Sequence, residues 1–90
     1  MLFAITCLDK PGMLETRINN RANHLAYIDE TCVVVQAGPF LDDAGEMYGS
    51  LIILDVEDLD AAQAWADGDP YARAGLFESV EIRVWKKVVG

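Results

Sequence analysis

The chain has 90 residues, 52% of them apolar, and its 15 acidic and seven basic side chains give a net charge of −8. A chain of this length forms one modest core, so we expect a single domain spanning residues 1–90. The negative charge would repel a phosphate backbone or an anionic lipid surface, so we expect neither nucleic acid nor a membrane as a partner. Met1 leads directly into an apolar run without a basic start, which argues against a targeting segment.

The two cysteines, Cys7 and Cys32, both fall in strand-like runs and do not form a metal-spaced pair. We therefore expect buried, reduced thiols and a cytoplasmic location. The sequence has no glycine-rich phosphate loop, no metal-spaced cluster and no nucleophile elbow, so we expect no metal and no cofactor.

The first predicted element is a strand over residues 2–8, in which both alternating sets of side chains are mostly apolar. Asp9 is the predicted N-cap of a long helix that opens at Asp9-Lys10-Pro11-Gly12 and continues to about Glu30. Four apolar residues in this helix recur at spacings of three, four and seven, which predicts a buried stripe. They are Leu14, Ile18, Leu25 and Ile28.

Two further strands are predicted over residues 31–37 and 47–56, with Gly38-Pro39 ending or kinking the first of them. The turn residues at 41–46 join these strands into a hairpin. Gly49 lies inside a strand pattern, which indicates a bulge or a group packed close to the backbone.

The second predicted helix begins after Asp58 as N-cap, buries one apolar side and ends at Gly68. Leu59, Ala62, Trp65 and Ala66 form that side. Asp69, before Pro70, is expected to cap a further short turn through Ala74. A last strand is predicted from Phe77 to about Val88.

The predicted order βαββαβ is that of an α+β, ferredoxin-like (split βαβ) fold. Right-handed crossovers would place both helices on one face of a four-stranded antiparallel sheet. The first and third strands are apolar on both faces, so the sheet face without helices would expose apolar surface. We therefore expect a homodimer in which two sheets face each other as a barrel. The alternative is a monomer with a wetter sheet.

The stretch from Asp67 to Phe77 and the upstream pair Arg21 and His24 form the best candidate site. Histidine exchanges protons readily near neutral pH, and a carboxylate partner would orient its ring. Asp69 is the preferred partner because Pro70 constrains its turn, and Asp67 is the alternative. Arg21, one helical turn before His24, could bind an anionic group. The two helices run in opposite directions, so His24 and Asp69 could meet within one subunit or across a dimer, or His24 could simply face solvent.

Five spaced motifs resemble the YciI-like (YCII-related) family over nearly the whole chain. They are Asp9-Lys10-Pro11-Gly12; Arg21-x-x-His24-Leu25; Ala37-Gly38-Pro39; Gly49-Ser50; and the run from Ala64 through Asp67-Gly68-Asp69-Pro70-Tyr71 to Phe77. The resemblance implies a dimeric α+β barrel and a site centred on a His–Asp pair, here His24 and Asp69. One kind of relative removes halide from a chlorinated hydroxyhydroquinone, and similar barrels include muconolactone isomerases and small monooxygenases.

These observations favour a small cofactor-free enzyme acting on an aromatic or lactone-like small molecule, with lyase, isomerase or dehydrochlorinase-like chemistry. His24 would be the general acid or base and Asp69 its orienting partner. Arg21, Gly38, Ser50 and Tyr71 would contact the substrate. The alternative is a non-catalytic ligand-binding or accessory dimeric module that uses the same pocket.

Overall fold

The structure, a computed structural model, describes all 90 residues. It contains four strands and three helices in the order β1, α1, β2, β3, α2, α3, β4. Their bounds are β1 Leu2–Asp9, α1 Leu14–Thr31, β2 Val34–Leu41, β3 Met47–Asp55, α2 Leu59–Gly68, α3 Pro70–Arg73 and β4 Phe77–Trp85.

The four strands form one antiparallel sheet in the order β2-β3-β1-β4. The core is built on the sheet face that carries alternate β1 residues, and α2 contributes its apolar side to the same cluster. Partly buried residues of α1 pack against that cluster too, so both long helices cover one face. The ferredoxin-like α+β prediction is therefore confirmed. None of the three helices combines the length and apolarity that a membrane span requires.

The start of α1 differs from the prediction. Asp9 is the last residue of β1 rather than a helix cap, and α1 begins five residues later with Met13 at the N-cap position and no side-chain cap. A turn through Gly12, at φ 77°, separates the two elements. The Asp9 carboxylate does not cap the helix N–H groups. It binds the side chain of Arg17 on α1 instead.

The buried stripe predicted for α1 is wrong at its two middle residues, although Leu14 and Ile28 are half-buried and Ile28 packs against the core. Ile18 and Leu25 are 55% and 47% exposed, whereas Arg17 and His24 are only 2% and 6% exposed. The helix is rotated so that its polar flank faces the sheet. Hydrophobic periodicity cannot anticipate this arrangement, because buried charges are tolerated only where partners from other elements satisfy them.

The second strand, predicted over residues 31–37, begins and ends later than predicted, from Val34 through Gly38-Pro39 to Leu41, because α1 continues to Thr31. Pro39 is tolerated because β2 is an edge strand. Cys32 precedes this strand and is an exposed thiol at the C-cap of α1, in the left-handed conformation at φ 56°, so its predicted burial in a strand is wrong. Cys7 is buried as expected, and desolvation, reinforced by the charge of Asp69, raises the pKa of its thiol to about 12.

The second half of the chain follows the prediction more closely. Asp58 caps α2 by accepting from the Ala61 N–H at 2.8 Å, and α2 ends at Gly68. On α2, Ala62, Trp65 and Ala66 are buried but Leu59 is exposed, contrary to expectation. The final strand ends at Trp85, three residues earlier than predicted.

Gly49 allows two strands to approach closely, as its position in a strand pattern predicted. A Cβ placed there would lie 2.4 Å from the Cys7 carbonyl oxygen and 3.0 Å from the Phe40 ring. Neither neighbour can shift easily. The Cys7 carbonyl is backbone of a central strand, and Phe40 lies beside the register shift between β2 and β3.

We expect Gly49→Ala to destabilise the protein by about 1–3 kcal/mol, the usual cost of overpacking a filled interior. Gly38→Ala is the matched control, because a Cβ at Gly38 meets nothing within 4 Å. Urea unfolding followed by circular dichroism measures both. Equal stabilities for the two variants would contradict the close approach at Gly49.

Candidate active site

The link between α2 and α3 fixes one carboxylate. Asp69 is almost fully buried, and its Oδ1 accepts a hydrogen bond from the Tyr71 backbone N–H at 3.0 Å. Pro70 occupies the first position of α3, where its missing N–H costs nothing. The predicted cap is therefore confirmed, and it leaves Asp69 with a defined orientation.

His24 of α1 meets this carboxylate within the same chain. Its Nδ1 lies 2.7 Å from Asp69 Oδ1, and both side chains are buried. A carboxylate only accepts hydrogen bonds, so the contact assigns the imidazole proton to Nδ1 and leaves Nε2 as the free acceptor of the neutral ring. Of the three arrangements that the sequence left open, the structure shows the contact within a single subunit.

Arg17 lies two turns before His24 on the same face of α1 and is held by a second carboxylate. Its Nε and Nη2 donate to the two oxygens of Asp9 at 2.7 and 2.9 Å, a bidentate pairing. Nη2 also donates to Ser50 Oγ on β3 at 2.9 Å. Burial by itself would lower the pKa of Arg17, but the hydrogen bonds and charge of Asp9 outweigh it and raise the pKa above its usual value.

The ring of Tyr71 contacts both His24 and Arg17. It stacks on the His24 ring with centroids 3.9 Å apart at 16°, and Arg17 Cζ lies 4.7 Å from its centroid. Phe77 supports it edge-on at 6.0 Å. Burial raises the pKa of the Tyr71 phenol, while the charges of Arg17 and Arg21 oppose that shift. The phenol therefore stays protonated near neutral pH.

These groups line a cavity of about 120 Å³ between α1, α3 and the β2–β3 hairpin. That volume is close to the ~150 Å³ known to hold a single benzene ring in another protein. The twelve lining residues are Arg17, Arg21, His24, Leu25, Ile28, Ala37, Gly38, Pro39, Met47, Ser50, Ile52 and Tyr71.

Every residue assigned to the site from the sequence lies in or beside this cavity. Arg21, Gly38, Ser50 and Tyr71 line it with His24, and Asp69 binds the imidazole directly. Asp67, the alternative partner, is exposed and accepts from Gln63 Nε2 instead. No three His, Cys, Asp or Glu side chains gather where they could hold a metal ion.

Sequence reasoning missed the Arg17–Asp9 pair. From the sequence, Asp9 is predicted to cap the first helix, and Arg17 receives no role. The available signal was the seven-residue spacing of Arg17 and His24, which places two polar side chains two turns apart on one side of the helix.

Comparison with known proteins agrees with this fold. The family model for the YCII-related domain matches residues 1–86. The protein named YciI from Escherichia coli O6:H1 is 40% identical over 97 aligned positions, which cover 98% of this chain and 99% of that protein.

Two solved structures are similar in fold. One is the 5-chloro-2-hydroxyhydroquinone dehydrochlorinase TftG from Burkholderia phenoliruptrix AC1100, in complex with 2,5-dihydroxybenzoquinone. It is 37% identical with a TM-score of 0.87, and the match covers 96% of this chain and 94% of that one. The other is SnoaB, a cofactor-independent oxygenase from Streptomyces nogalater. It is 14% identical with a TM-score of 0.64 over 98% and 95% of the two chains, and it bears on the fold alone. This chain belongs to the YCII-related domain family.

Proposed function

We propose that the protein is a cofactor-free enzyme that transfers a proton on a small, single-ring aromatic or lactone-like molecule. The observation that carries this proposal is the buried His24–Asp69 hydrogen bond at the wall of a ring-sized cavity. Asp69 would hold the imidazole in one tautomer, and His24 Nε2 would accept or return the proton. Buried, hydrogen-bonded imidazole–carboxylate pairs in concave sites are typical of acid–base catalysts.

The structure of TftG, which contains a bound ring compound, supports a single-ring aromatic substrate. TftG, 37% identical over almost the full chain, is a dehydrochlorinase of 5-chloro-2-hydroxyhydroquinone, and its structure contains 2,5-dihydroxybenzoquinone. A hydroxylated ring of that size suits the cavity described above. Elimination and isomerisation both begin with proton removal, so lyase, isomerase and dehydrochlorinase chemistry fit one base. Gly38, Ser50 and Tyr71 would contact the ring, with Arg21 at an exposed part of the wall.

His24→Gln should lower turnover of 5-chloro-2-hydroxyhydroquinone by a factor of about 10² to 10⁴, the usual contribution of a general acid or base. The affinity for the ring should change little, because Gln preserves most of the cavity wall. Asp69→Asn should also lower turnover, since the amide no longer dictates the Nδ1–H tautomer. Chloride release measures the rate, and isothermal titration calorimetry measures ligand affinity.

Asp67→Asn is the matched control, two residues away but exposed and outside the cavity. It should leave both rate and affinity unchanged. If the wild-type protein binds hydroxylated rings but turns none of them over, the cavity belongs to a binding or accessory module. Full activity in His24→Gln would remove His24 from the chemistry.

We also infer that the protein forms a homodimer through the sheet face opposite the helices. Strand register places a second apolar set on that face, and much of it is exposed in the single chain. Its members include Leu2, Leu8, Phe40, Leu51 and Trp85. A second copy would bury this surface at a gain of about 25 cal/mol per Å². A two-fold interface of facing sheets would form the proposed barrel.

Leu51→Lys should convert the dimer to a monomer, because it places a charge within the proposed interface. Leu59→Lys is the control, since Leu59 is exposed on α2 and away from the sheet. Light scattering coupled to size exclusion should give twice the 9.9 kDa chain mass for wild type and Leu59→Lys, and the chain mass for Leu51→Lys. A wild-type protein of single-chain mass at micromolar concentration would refute the dimer.

Both cysteines are free thiols. Because disulfides persist mainly in oxidising compartments, we propose a cytoplasmic location.

A further inference from the structure

The charged side chains that line the cavity are basic, although the protein as a whole is acidic. The chain has a net charge of −8, yet the cavity wall includes Arg17, Arg21 and His24 and no carboxylate. The two nearest acids, Asp9 and Asp69, are paired with Arg17 and His24. A ligand in this cavity therefore meets guanidinium and imidazole groups rather than the negative surface of the rest of the molecule.

Three hydrogen-bond donors on the wall have no acceptor in the chain. Arg17 uses Nε and Nη2 for Asp9 and Ser50, and even with a hydrogen bond to the Tyr71 hydroxyl at least one hydrogen of Nη1 remains free. Ser50 Oγ accepts from Arg17, and its own proton has no acceptor. The Tyr71 hydroxyl lies close enough to Arg17 for a hydrogen bond between them to contribute to the pKa of both groups, and the hydroxyl's own proton has no acceptor.

Every side-chain nitrogen or oxygen that is fully enclosed has a hydrogen bond. Each of these donor atoms is therefore either hydrogen-bonded or accessible to solvent. Arg17 and Tyr71 are nevertheless each only 2% exposed. Both residues border the cavity. Free donors next to a guanidinium favour an acceptor oxygen, and they bind most strongly to one that carries negative charge.

We propose that the cavity binds its ligand as an oxyanion, an ionised ring hydroxyl, held by Arg17 Nη1 and the Ser50 hydroxyl. This inference assigns the ligand's charge state within the proposed active site and so rests on the proposed function. The proton released from the hydroxyl passes to solvent, and the negative charge remains on the ring oxygen. Arg17 and Ser50 stabilise that charge.

Arg17 suits this role better than Arg21, the anion anchor expected from the sequence. Asp9 binds the Arg17 guanidinium through two hydrogen bonds, and the Tyr71 ring packs against that guanidinium. The guanidinium is therefore oriented before a ligand binds. A buried, oriented donor loses little freedom on binding and acts without competing water. Arg21 is exposed and makes no hydrogen bond that would fix its guanidinium.

The test uses 4-nitrophenol, whose ionised form absorbs visible light, and its methyl ether 4-nitroanisole, which cannot ionise. Charge-assisted hydrogen bonds should make the phenolate bind about tenfold or more tightly than the ether. By linkage, the bound phenol should then ionise at least about one pH unit below the free probe. Because the assay needs no turnover, it remains informative even if the proposed catalysis fails.

Four variants separate the contributions. Asp9→Asn combined with Arg17→Gln removes both buried charges together and should abolish the preference for phenolate. Ser50→Ala buries no unpaired charge and should weaken phenolate binding about three- to tenfold without affecting the ether; it carries the test if the double variant does not fold. Arg73→Gln, on the exposed end of α3, is the basic-residue control and should change nothing. His24→Gln should retain the preference.

Equal affinities of wild type for phenolate and ether, or no phenolate binding in the millimolar range, would overturn the proposal. So would a preference that survives in both the double variant and Ser50→Ala but disappears in Arg21→Gln. That result would assign anion binding to Arg21, the exposed arginine, instead of Arg17.

Discussion

Two carboxylates determine how α1 lies on the sheet. Arg17 and His24 project from one face of that helix into the interior, and Asp9 and Asp69 meet them there. Removing one partner of such a buried pair generally costs about 3–5 kcal/mol, because the other charge is left unpaired. A domain of this size has a total stability of only about 5–15 kcal/mol. The pairs therefore constrain the fold as well as the chemistry of the cavity.

The same contacts explain why the cavity wall is ordered before a ligand binds. Asp69 is held by the first turn of α3, so the short helix that follows the α2 stop orients the imidazole. Asp9 is the last residue of β1, and its carboxylate orients the Arg17 guanidinium. The Tyr71 ring packs against both the His24 imidazole and the Arg17 guanidinium. A site assembled in this way spends little binding energy on ordering its own groups.

The fold could be predicted from the sequence because its signals are local. Alternating apolar runs, the Asp58 cap and the Asp69-Pro70 turn each define an element without help from the rest of the chain. The His24–Asp69 pair could be proposed because Pro70 constrains the turn that holds Asp69, and the family resemblance joined the same two distant stretches. The orientation of α1 could not be predicted, since its most regular pattern, through Ile18 and Leu25, faces outward. Periodicity scores apolar residues and gives no weight to charges that a distant strand will neutralise.

The central claim is that Asp69 holds His24 as the Nδ1–H tautomer with Nε2 free toward the ligand. His24 is the only histidine, so ¹⁵N-detected imidazole correlations of the labelled protein report this site without overlap. For the neutral ring, the account predicts a protonated Nδ1 and an unprotonated Nε2, with that distinction lost in Asp69→Asn. An Nε2–H tautomer, or two nitrogens averaged as in free imidazole, would contradict it.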